Sequence, residues 1–269
     1  MATLTRNEAI SVGRALARVL REAGVSGISR RQRDQLRALA FDLRQRGGSW
    51  EQALRLHLQA QFARAATTTT ADGAARQAET SRATRETNIV VRLNLDGGGQ
   101  ASVHTGIGIL DHLLRQLAFH GLLDLDLTAT GDIEVDAHHL TEDVAITLGR
   151  AFDQALADRE GIERFSSVIV PMDEALATVA LDLGGRGFSQ VAATFLAPTV
   201  GQLPTSLIPH FLDSLAREAR LTLHARLEGH RDDHHGAEAL FKALGRALAL
   251  ASRRDPRRAG QVPSTKASL

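Results

Sequence analysis

The sequence predicts an α+β protein whose main domain, over 82–269, is internally duplicated and follows a small all-helical segment. Three observations support this. Strand-like and helix-like segments alternate through the main domain. The pattern H-H-x-x-E-x-x-x-x-x-L-G-R-A occurs twice without a gap, at 138–151 and 234–247. A small, polar stretch at 66–81 reads as a linker ahead of the main domain. The duplication implies two halves of roughly 90 residues, each with a sheet and two helices.

The first 65 residues predict three helices, because capping boxes of the form S/T-x-x-E/Q begin at Thr5, Ser29 and Ser49. A piece of this size has a marginal core when it stands alone. Three interpretations remain open: an extension that packs on another surface, a regulatory or partner-binding module, and a basic surface for anionic partners. We favour the first, since most appended helical segments simply pack.

The main domain divides into two pseudo-repeats, about 82–175 and 176–255. The expected elements follow in order. A hairpin is expected from TNIVVRLNL, DGGG and QASVHT, followed by a helix at Leu110–His120, a strand at LLDLDLTATGD and a helix from the first histidine pair to about Ala157. Three strands are then expected over residues 164–195. The last elements are a helix near 206–219, the strand LTLHARLEG and a helix from the second histidine pair to about Ser252.

Composition excludes several classes of protein. The chain has 269 residues, 43% of them hydrophobic, and contains no cysteine, which rules out disulfides, thiolate nucleophiles and cysteine-based zinc sites. No apolar run of about 18 residues is present to span a membrane. The start lacks an apolar signal core, so we expect a cytoplasmic protein. A net charge of +1 gives no reason to expect a nucleic-acid or membrane partner.

The duplicated motif predicts metal ligation. Positions i and i+4 share one face of a helix, so His138 with Glu142, and His234 with Glu238, can each bind one ion from a single turn. The alternative is a capped helix start that happens to carry histidines, and two copies of the cluster argue against it. Imidazole and carboxylate suit Mn, Fe, Co, Ni or Zn without selecting among them.

Four more histidines accompany these two His–Glu pairs. His139 and His235 point about 100° away from their neighbours around the helix axis, which leaves them available to a second ion. His112 lies 26 residues before its pair (138 − 112), and His210 lies 24 before its own (234 − 210), each ahead of a helix-like run. This arrangement favours a shared or two-metal site over a closed structural one.

The chain from Arg82 to Leu269 closely resembles the imidazoleglycerol-phosphate dehydratase family. The resemblance implies a ribosomal protein S5 domain 2-like fold and dehydration of D-erythro-imidazoleglycerol phosphate to imidazole-acetol phosphate in histidine biosynthesis. It also implies 24-subunit shells built from trimers. The matching segments, in family order, are RATRETNI, TGIGILDHLLRQLAFH, DAHHLTED, GIERF, MDEAL, LDLGGR, DDHHGAEALFKALGRAL and VPSTK.

The resemblance further implies two Mn²⁺ ions per active site, which grip the ring nitrogens of the substrate and stabilise its imidazolate. Each ion takes ligands from both halves and, in the family, from neighbouring subunits. The implied ligands are His112, His138, His139 and Glu142 from one half, and His210, His234, His235 and Glu238 from the other.

Glu86 matches a family glutamate proposed for acid/base work, although whether it takes or returns the proton is open; the alternative is a salt-bridge residue at a strand edge. Two segments depart from the family pattern: GGRG around Arg186, and GHRDD before the second histidine pair. The implied substrate-binding residues are Gln116 on the substrate wall and, for the phosphate, Arg164, Arg186, Lys242, Ser264, Thr265 and Lys266.

Two rival functions remain open at this point. A metal-dependent phosphatase or other hydrolase of a small phosphorylated metabolite would release free phosphate, whereas dehydration leaves the phosphate attached. A catalytically inactive metal-binding assembly protein would bind metal without turnover.

Overall fold

The computed structural model describes residues 76–266, so the helices predicted over 1–65 lie outside the described part. The chain separates into two compact units, Met1–Ala74 and Ala75–Leu269. The first half of the second unit contains β1 (Gln77–Ala83), β2 (Thr87–Asn94), β3 (Ala101–His104), α1 (Gly108–Gly121), β4 (Asp124–Gly131) and α2 (His138–Leu156).

The second half repeats this series with a small two-stranded insertion, and a short 3-10 helix (Pro256–Arg258) follows it. No helix of the described region is long and apolar enough to cross a membrane. The elements are β5 (Phe165–Met172), β6 (Ala175–Asp182), β7 (Phe188–Ala192), the inserted β8 (Thr199–Val200) and β9 (Leu203–Pro204), α3 (Leu207–Glu218), β10 (Thr222–Gly229) and α4 (Asp233–Ser252).

The two halves have the same sheet topology. The first sheet has the order β1-β2-β4-β3 and the second has β5-β6-β10-β7. In each sheet the first two pairings are antiparallel and the last is parallel. Burial alternates strictly along β2 and β6, as expected for strands with one face on the core. The predicted duplicated α+β architecture is therefore confirmed.

Each half places one of its helices against a helix of the other half. Helix α2 packs on β1 and β2, and α4 packs on β5 and β6. Helix α1, however, packs on α4, while α3 packs on α2. The rings of Phe211 on α3 and Phe241 on α4 are fully buried, with centroids 5.3 Å apart. The two halves thus share one continuous core.

The glycine of each L-G-R-A motif lies where these helices cross. A Cβ on Gly245 would lie 2.2 Å from the carbonyl oxygen of Leu117 on α1. A Cβ on Gly149 would lie 2.8 Å from the carbonyl oxygen of Leu215 on α3. Because no larger residue fits against the facing backbone, these glycines set how closely the helices approach.

Three predicted features are wrong: the hairpin, the end of the linker and the bounds of the pseudo-repeats. The expected hairpin does not form, because β4 inserts between β2 and β3; the DGGG loop passes over the start of β4, where Asp124 Oδ1 accepts N–H groups of Gly98 and Gln100 at 2.9 and 3.0 Å. The predicted linker over 66–81 ends early, because β1 takes residues from Gln77 on. These residues are mostly polar because β1 is an edge strand that buries only Ala78.

The pseudo-repeats 82–175 and 176–255 are also out of phase with the structure. Strand β5 pairs with β6, as β1 pairs with β2, so β5 opens the second half and does not close the first. The structural repeats run from Gln77 to Leu156 and from Phe165 to Ser252. The histidine motifs fix the period of a repeat but carry no information about where each unit begins.

Candidate metal centre

Two three-residue clusters of possible metal ligands lie at the crossings between the halves. In the first, His112 of α1 meets His234 and Glu238 of α4, with ligand atoms all within 4.8 Å of one another. His112 Nε2 is 2.7 Å from Glu238 Oε2, and His234 Nε2 is 3.2 Å from the same oxygen. The i, i+4 pair on α4 shares one face, as its spacing predicts, and the third group comes from the other half.

The second cluster repeats this arrangement with the halves exchanged. His138 and Glu142 of α2 meet His210 of α3, again with ligand atoms within 4.8 Å. The rings of His138 and His210 have centroids 4.8 Å apart at 36°, and those of His112 and His234 are 5.1 Å apart at 32°. The two copies of the motif therefore form clusters of nearly the same geometry.

The charge of Glu238 is well supported. Burial disfavours its carboxylate, but hydrogen bonds from Lys242 and His112 outweigh burial and lower the pKa of Glu238 to about 2. Lys242 Nζ lies 2.7 Å from Glu238 Oε1. The carboxylate is therefore ionised at neutral pH, which is the form that binds a cation.

An unpartnered nitrogen shows that the second cluster fits a metal ion. His210 Nε2 is buried and has no hydrogen-bond partner, although Glu142 Oε1 lies 3.2 Å away at an unsuitable angle. A buried polar atom normally has a partner, and convergent imidazole and carboxylate groups are what a divalent transition metal requires. The residues present therefore fit the metal that the motif predicts.

His139 and His235 lie outside these clusters, as their position on the helix predicts. His139 Nδ1 is 3.3 Å from Asp132 Oδ2, and this hydrogen bond raises the pKa of His139. His235 Nδ1 is 3.1 Å from Glu174 Oε2, which raises the pKa of His235 and lowers that of Glu174 to about 2. In both rings a carboxylate occupies Nδ1, so Nε2 is the nitrogen that is left to bind a ligand.

Glu86 is one of the four residues, 84–87, that connect β1 to β2 between the paired Ala83 and Asn88, and its side chain is exposed. One of its carboxylate oxygens is 3.5 Å from His139 Nδ1. Glu86, Asp132 and His139 thus form a third convergent group, and Asp173, Glu174 and His235 form its counterpart in the second half. Sequence reasoning missed Asp132 and Glu174, because a single acid beside a turn has no distinctive spacing.

The predicted substrate-binding residues lie in four places, one of which is Lys242 on α4, beside Glu238. Gln116 lies one turn after His112 on α1 and is half-buried. Arg164 is bidentate to Asp182, at 2.7 and 3.1 Å, and also donates to the carbonyl oxygen of Pro263 at 2.7 Å. That last bond brings the Ser264–Lys266 segment to Arg164, so two of the predicted phosphate contacts are neighbours.

Arg186 lies in the loop between β6 and β7, where it is exposed and makes no ion pair with the described residues. Its neighbour Gly187 faces the backbone of Arg217 on α3, where a Cβ would lie 2.7 Å from the carbonyl oxygen. The GGRG departure from the family pattern therefore gives a loop that is held against α3.

The GHRDD departure is also well anchored. Asp232 caps α4 by accepting the N–H groups of His234 and His235 at 2.7 and 3.4 Å. His230 Nε2 is 2.7 Å from Asp233 Oδ1, and that carboxylate also accepts N–H groups from the loop before β8. The path to the second histidine pair is therefore fixed by hydrogen bonds at each step.

Comparison with known proteins decides the family. The family model "Imidazoleglycerol-phosphate dehydratase" matches residues 105–248, more than half of the chain. The chain belongs to the imidazoleglycerol-phosphate dehydratase family. The predicted identity as a hydro-lyase that acts by dehydration in histidine biosynthesis is thereby confirmed, and the rival hydrolase and inactive-assembly functions lose their support.

Relatives and solved structures of the family cover the same part of the chain. The dehydratase of Chloroflexus aurantiacus is 55% identical over 194 residues, 72% of this chain and 95% of the relative. That of Dehalococcoides mccartyi strain 195 is 54% identical, over 72% and 97%. The Pyrococcus furiosus crystal structure superposes with a TM-score of 0.61 at 36% identity, covering 70% of this chain and 99% of that one. The N-terminal part stays unmatched, as predicted.

The Staphylococcus aureus family member gives a TM-score of 0.59 at 32% identity, over 66% of this chain and 99% of its own. Almost the whole of each solved chain therefore corresponds to the duplicated domain. The agreement confirms the predicted fold.

Proposed function

We propose that this protein dehydrates D-erythro-imidazoleglycerol phosphate to imidazole-acetol phosphate with two Mn²⁺ ions per active site, held by the two interhelical clusters. The observation that carries the proposal is the pair of equivalent His–His–Glu clusters, one of which contains the unpartnered Nε2 of His210. When bound, the ions supply Lewis acidity to the nitrogens of the substrate ring.

The clusters themselves orient the ring. Each cluster presents three ligand atoms within 4.8 Å of one another, which leaves further coordination positions open to substrate and to other ligands. His112 and His210 come from the helix that the other half supplies, so the cluster geometry depends on both helix crossings. The six candidate ligands of the two clusters would hold the metal ions in fixed positions, and through them would limit rotation of the bound substrate ring.

Glu86 is the group we assign to proton transfer. Its carboxylate is exposed, lies 3.5 Å from His139 Nδ1, and makes no ion pair with a guanidinium or ammonium group among the described residues. It is thus placed to accept a proton from the substrate carbon that has no adjacent carbonyl. That proton balances the hydroxyl group that the substrate loses, so that the two leave as one molecule of water.

His139 and His235 complete the ligand shell of a second copy of the chain under this proposal. Each lies in a separate group from the interhelical clusters and keeps Nε2 available. A metal site shared between subunits requires a histidine of this kind, which lies outside the clusters of its own chain and can bind an ion held by another chain. We therefore propose a homo-oligomer that shares metal sites, the 24-subunit shell built from trimers that the family resemblance implies.

The phosphate is assigned to the cationic groups around Arg164 and the C-terminal segment. Arg164 donates a hydrogen bond to the carbonyl oxygen of Pro263, directly before that segment. Arg186 is exposed in the loop between β6 and β7, and Lys242 lies on α4, the helix that carries two residues of the first cluster. Guanidinium forks and a lysine ammonium together suit a phosphate dianion. Ser264, Thr265 and Lys266 add a hydroxyl and ammonium set from the tail. Cytoplasmic localisation and the lack of membrane or nucleic-acid partners stay predictions.

The decisive experiment measures turnover of imidazoleglycerol phosphate by metal-stripped protein, before and after addition of Mn²⁺. We expect acetol product only with metal and no release of free phosphate. Free phosphate would indicate a hydrolase, and a folded, metal-loaded protein without product would overturn the dehydratase assignment. His210→Gln should lower both metal content and product formation, whereas the control His224→Gln, exposed on the second sheet, should change neither.

A further inference from the structure

Asp143 is a buried carboxylate that the proposed mechanism does not use. It follows the metal ligand Glu142 on α2 and is only 6% exposed. Its side chain does not join either interhelical cluster. Burying a carboxylate is costly unless each of its oxygens has a hydrogen-bond partner, so the partners of Asp143 indicate what it holds in place.

Both oxygens of Asp143 bind the strands that flank the β1–β2 connection, which contains Glu86. Arg82 Nε, near the end of β1, donates to Oδ1 at 2.6 Å. Thr87 Oγ1, at the start of β2, donates to Oδ2 at 2.6 Å. Asp143 therefore clamps the two ends of the connection that carries Glu86 to the helix that carries the first histidine pair.

Inside the connection, Thr84 carries this restraint to the backbone of Glu86. The Thr84 hydroxyl lies 3.1 Å from that of Thr87 and accepts the N–H groups of Glu86 and Thr87 at 3.1 and 2.9 Å. An unbroken chain of hydrogen bonds thus runs from Asp143 to the main chain of Glu86. A charged acceptor at its far end strengthens such a chain.

The second half shows that the fold itself does not require this carboxylate. The position equivalent to Asp143, one residue after the motif glutamate, is the fully buried Ala239. There the strand connection is a tight turn of two residues, Asp173 and Glu174, between the paired Met172 and Ala175. A two-residue hairpin fixes its own geometry, whereas four residues have more freedom to lose.

Glu174 is instead held by main-chain donors. Its Oε1 accepts the N–H groups of Arg231 and Asp232 at 3.2 and 3.0 Å, and its Oε2 pairs with His235. The equivalent turn of the duplicated chain is therefore positioned without any buried acid. The carboxylate appears only where the longer connection carries Glu86.

We infer that Asp143 is a positioning residue for Glu86: it holds the β1–β2 connection so that the Glu86 carboxylate stays beside His139 and the ring of the bound substrate. This inference rests on the proposed role of Glu86 in proton transfer. Glu86 belongs to an exposed loop, and without the clamp its carboxylate would sample many positions. Misplacement by about 1 Å is sufficient to lower a rate roughly 100-fold.

The test combines steady-state kinetics with a double-mutant cycle. Asp143→Asn keeps the shape but turns one acceptor into a donor facing Arg82 or Thr87. We expect kcat to fall about 10- to 100-fold, with KM and the manganese content per chain close to wild type. In the background of Glu86→Gln, adding Asp143→Asn should cause no further loss, because the group that it positions is already gone.

Thr87 provides a second route in case Asp143→Asn fails to fold. Thr87→Val removes the hydroxyl and keeps the shape, so kcat should fall as with Asp143→Asn; Thr87→Ser should restore most of it. Thr178→Val is the matched control: it removes, from β6 of the other sheet, the hydroxyl of a half-buried threonine that also donates to a carboxylate, Glu228, and it should leave kcat unchanged.

The outcomes separate the two proposals. If Glu86→Gln alone leaves kcat unchanged, the assignment of Glu86 fails, and this inference fails with it. If Glu86→Gln lowers kcat strongly but Asp143→Asn and Thr87→Val keep full kcat, only the positioning role is overturned. Additive losses in the double mutant, or loss of manganese from Asp143→Asn, would show a general structural role and also overturn it.

Discussion

Replacing Gly245 by alanine tests whether the helix crossing sets the metal geometry. The added Cβ would lie 2.2 Å from Leu117 O and 3.1 Å from Gly121 N. Relief of this overlap requires α1 and α4 to separate by roughly 1 Å, because carbon contacts are favourable only near 3.5–4.0 Å. Both helices carry ligands of the first cluster, so the separation changes that cluster directly.

The magnitude follows from two opposing terms. Alanine in a helix interior is favoured over glycine by about 1 kcal/mol. Overpacking against a rigid backbone costs typically 1–3 kcal/mol and is at the upper end here, because the obstacle is a carbonyl and not a side chain. We expect a net destabilisation of about 1–2 kcal/mol, which lowers the melting temperature of a domain of this size by roughly 2–8 °C.

The effect on metal should be larger than the effect on stability. His112 Nε2 lies 2.7 Å from Glu238 Oε2, and a shift of roughly 1 Å exceeds the tolerance of about 0.2 Å in metal–ligand distances. The assay is thermal unfolding of metal-free protein together with manganese content after reconstitution. We expect about one ion fewer per chain, with the second cluster retained.

Two glycine controls make the result interpretable. Gly149→Ala, at the crossing of α2 and α3, meets Leu215 O at 2.8 Å and should give a milder loss that affects the second cluster. Gly98→Ala has nothing within 4 Å of its Cβ and should change neither property. A Gly245→Ala protein with wild-type melting temperature and full manganese content would refute the argument that this crossing sets the cluster.

Three further predictions address the phosphate site, the C-terminal segment and the ligand shell. Arg164→Lys loses the fork to Asp182 and the bond to Pro263, so KM for the phosphorylated substrate should rise about tenfold, the equivalent of one charged hydrogen bond; a rise in KM below twofold would contradict it. Hydrogen bonds from the Arg257 side chain and N–H lower the pKa of Asp255 from 3.8 to about 2. Its contribution to the stability of the folded C-terminal segment is therefore present above the unfolded pKa and is lost as pH falls through about 2. Amide exchange of residues 256–262 should rise across that range, and Asp255→Asn should show the same rise at neutral pH. His235→Gln should remove assembly-dependent manganese while leaving the three-residue clusters of each chain able to bind, as measured by metal content before and after dissociation of the oligomer.

The sequence predicted the candidate ligands but not how they combine. Helical spacing placed His138 with Glu142 and His234 with Glu238, because that relation is local. Nothing local indicates that His112 joins the pair of the other half, since that contact depends on α1 packing against α4. The same limit explains the predicted hairpin: DGGG has strong turn chemistry, but β4, which follows α1 in the chain, competes successfully for the edge of β2.

The residues missed by sequence reasoning share a second cause. Glu174 and Asp132 act through hydrogen bonds to histidines that are 61 and 7 residues away, and no periodicity marks them. Asp143 was visible in DAHHLTED as one acid among several. Its role becomes apparent only when the second half is seen to have Ala239 at the same place.

The exchange of helices between the halves also explains why neither half could diverge freely. A cluster confined to one half would survive any change in the other half. Here each cluster takes a histidine from the opposite half, so a displacement of α1 or α3 disrupts a site whose other ligands lie on α4 or α2. The retained motifs, the paired glycines at the crossings and the matched ring geometries follow from this dependence, whereas the strand connections were free to differ. One is the loop that carries Glu86 and binds the buried carboxylate of Asp143, and the other is a two-residue turn.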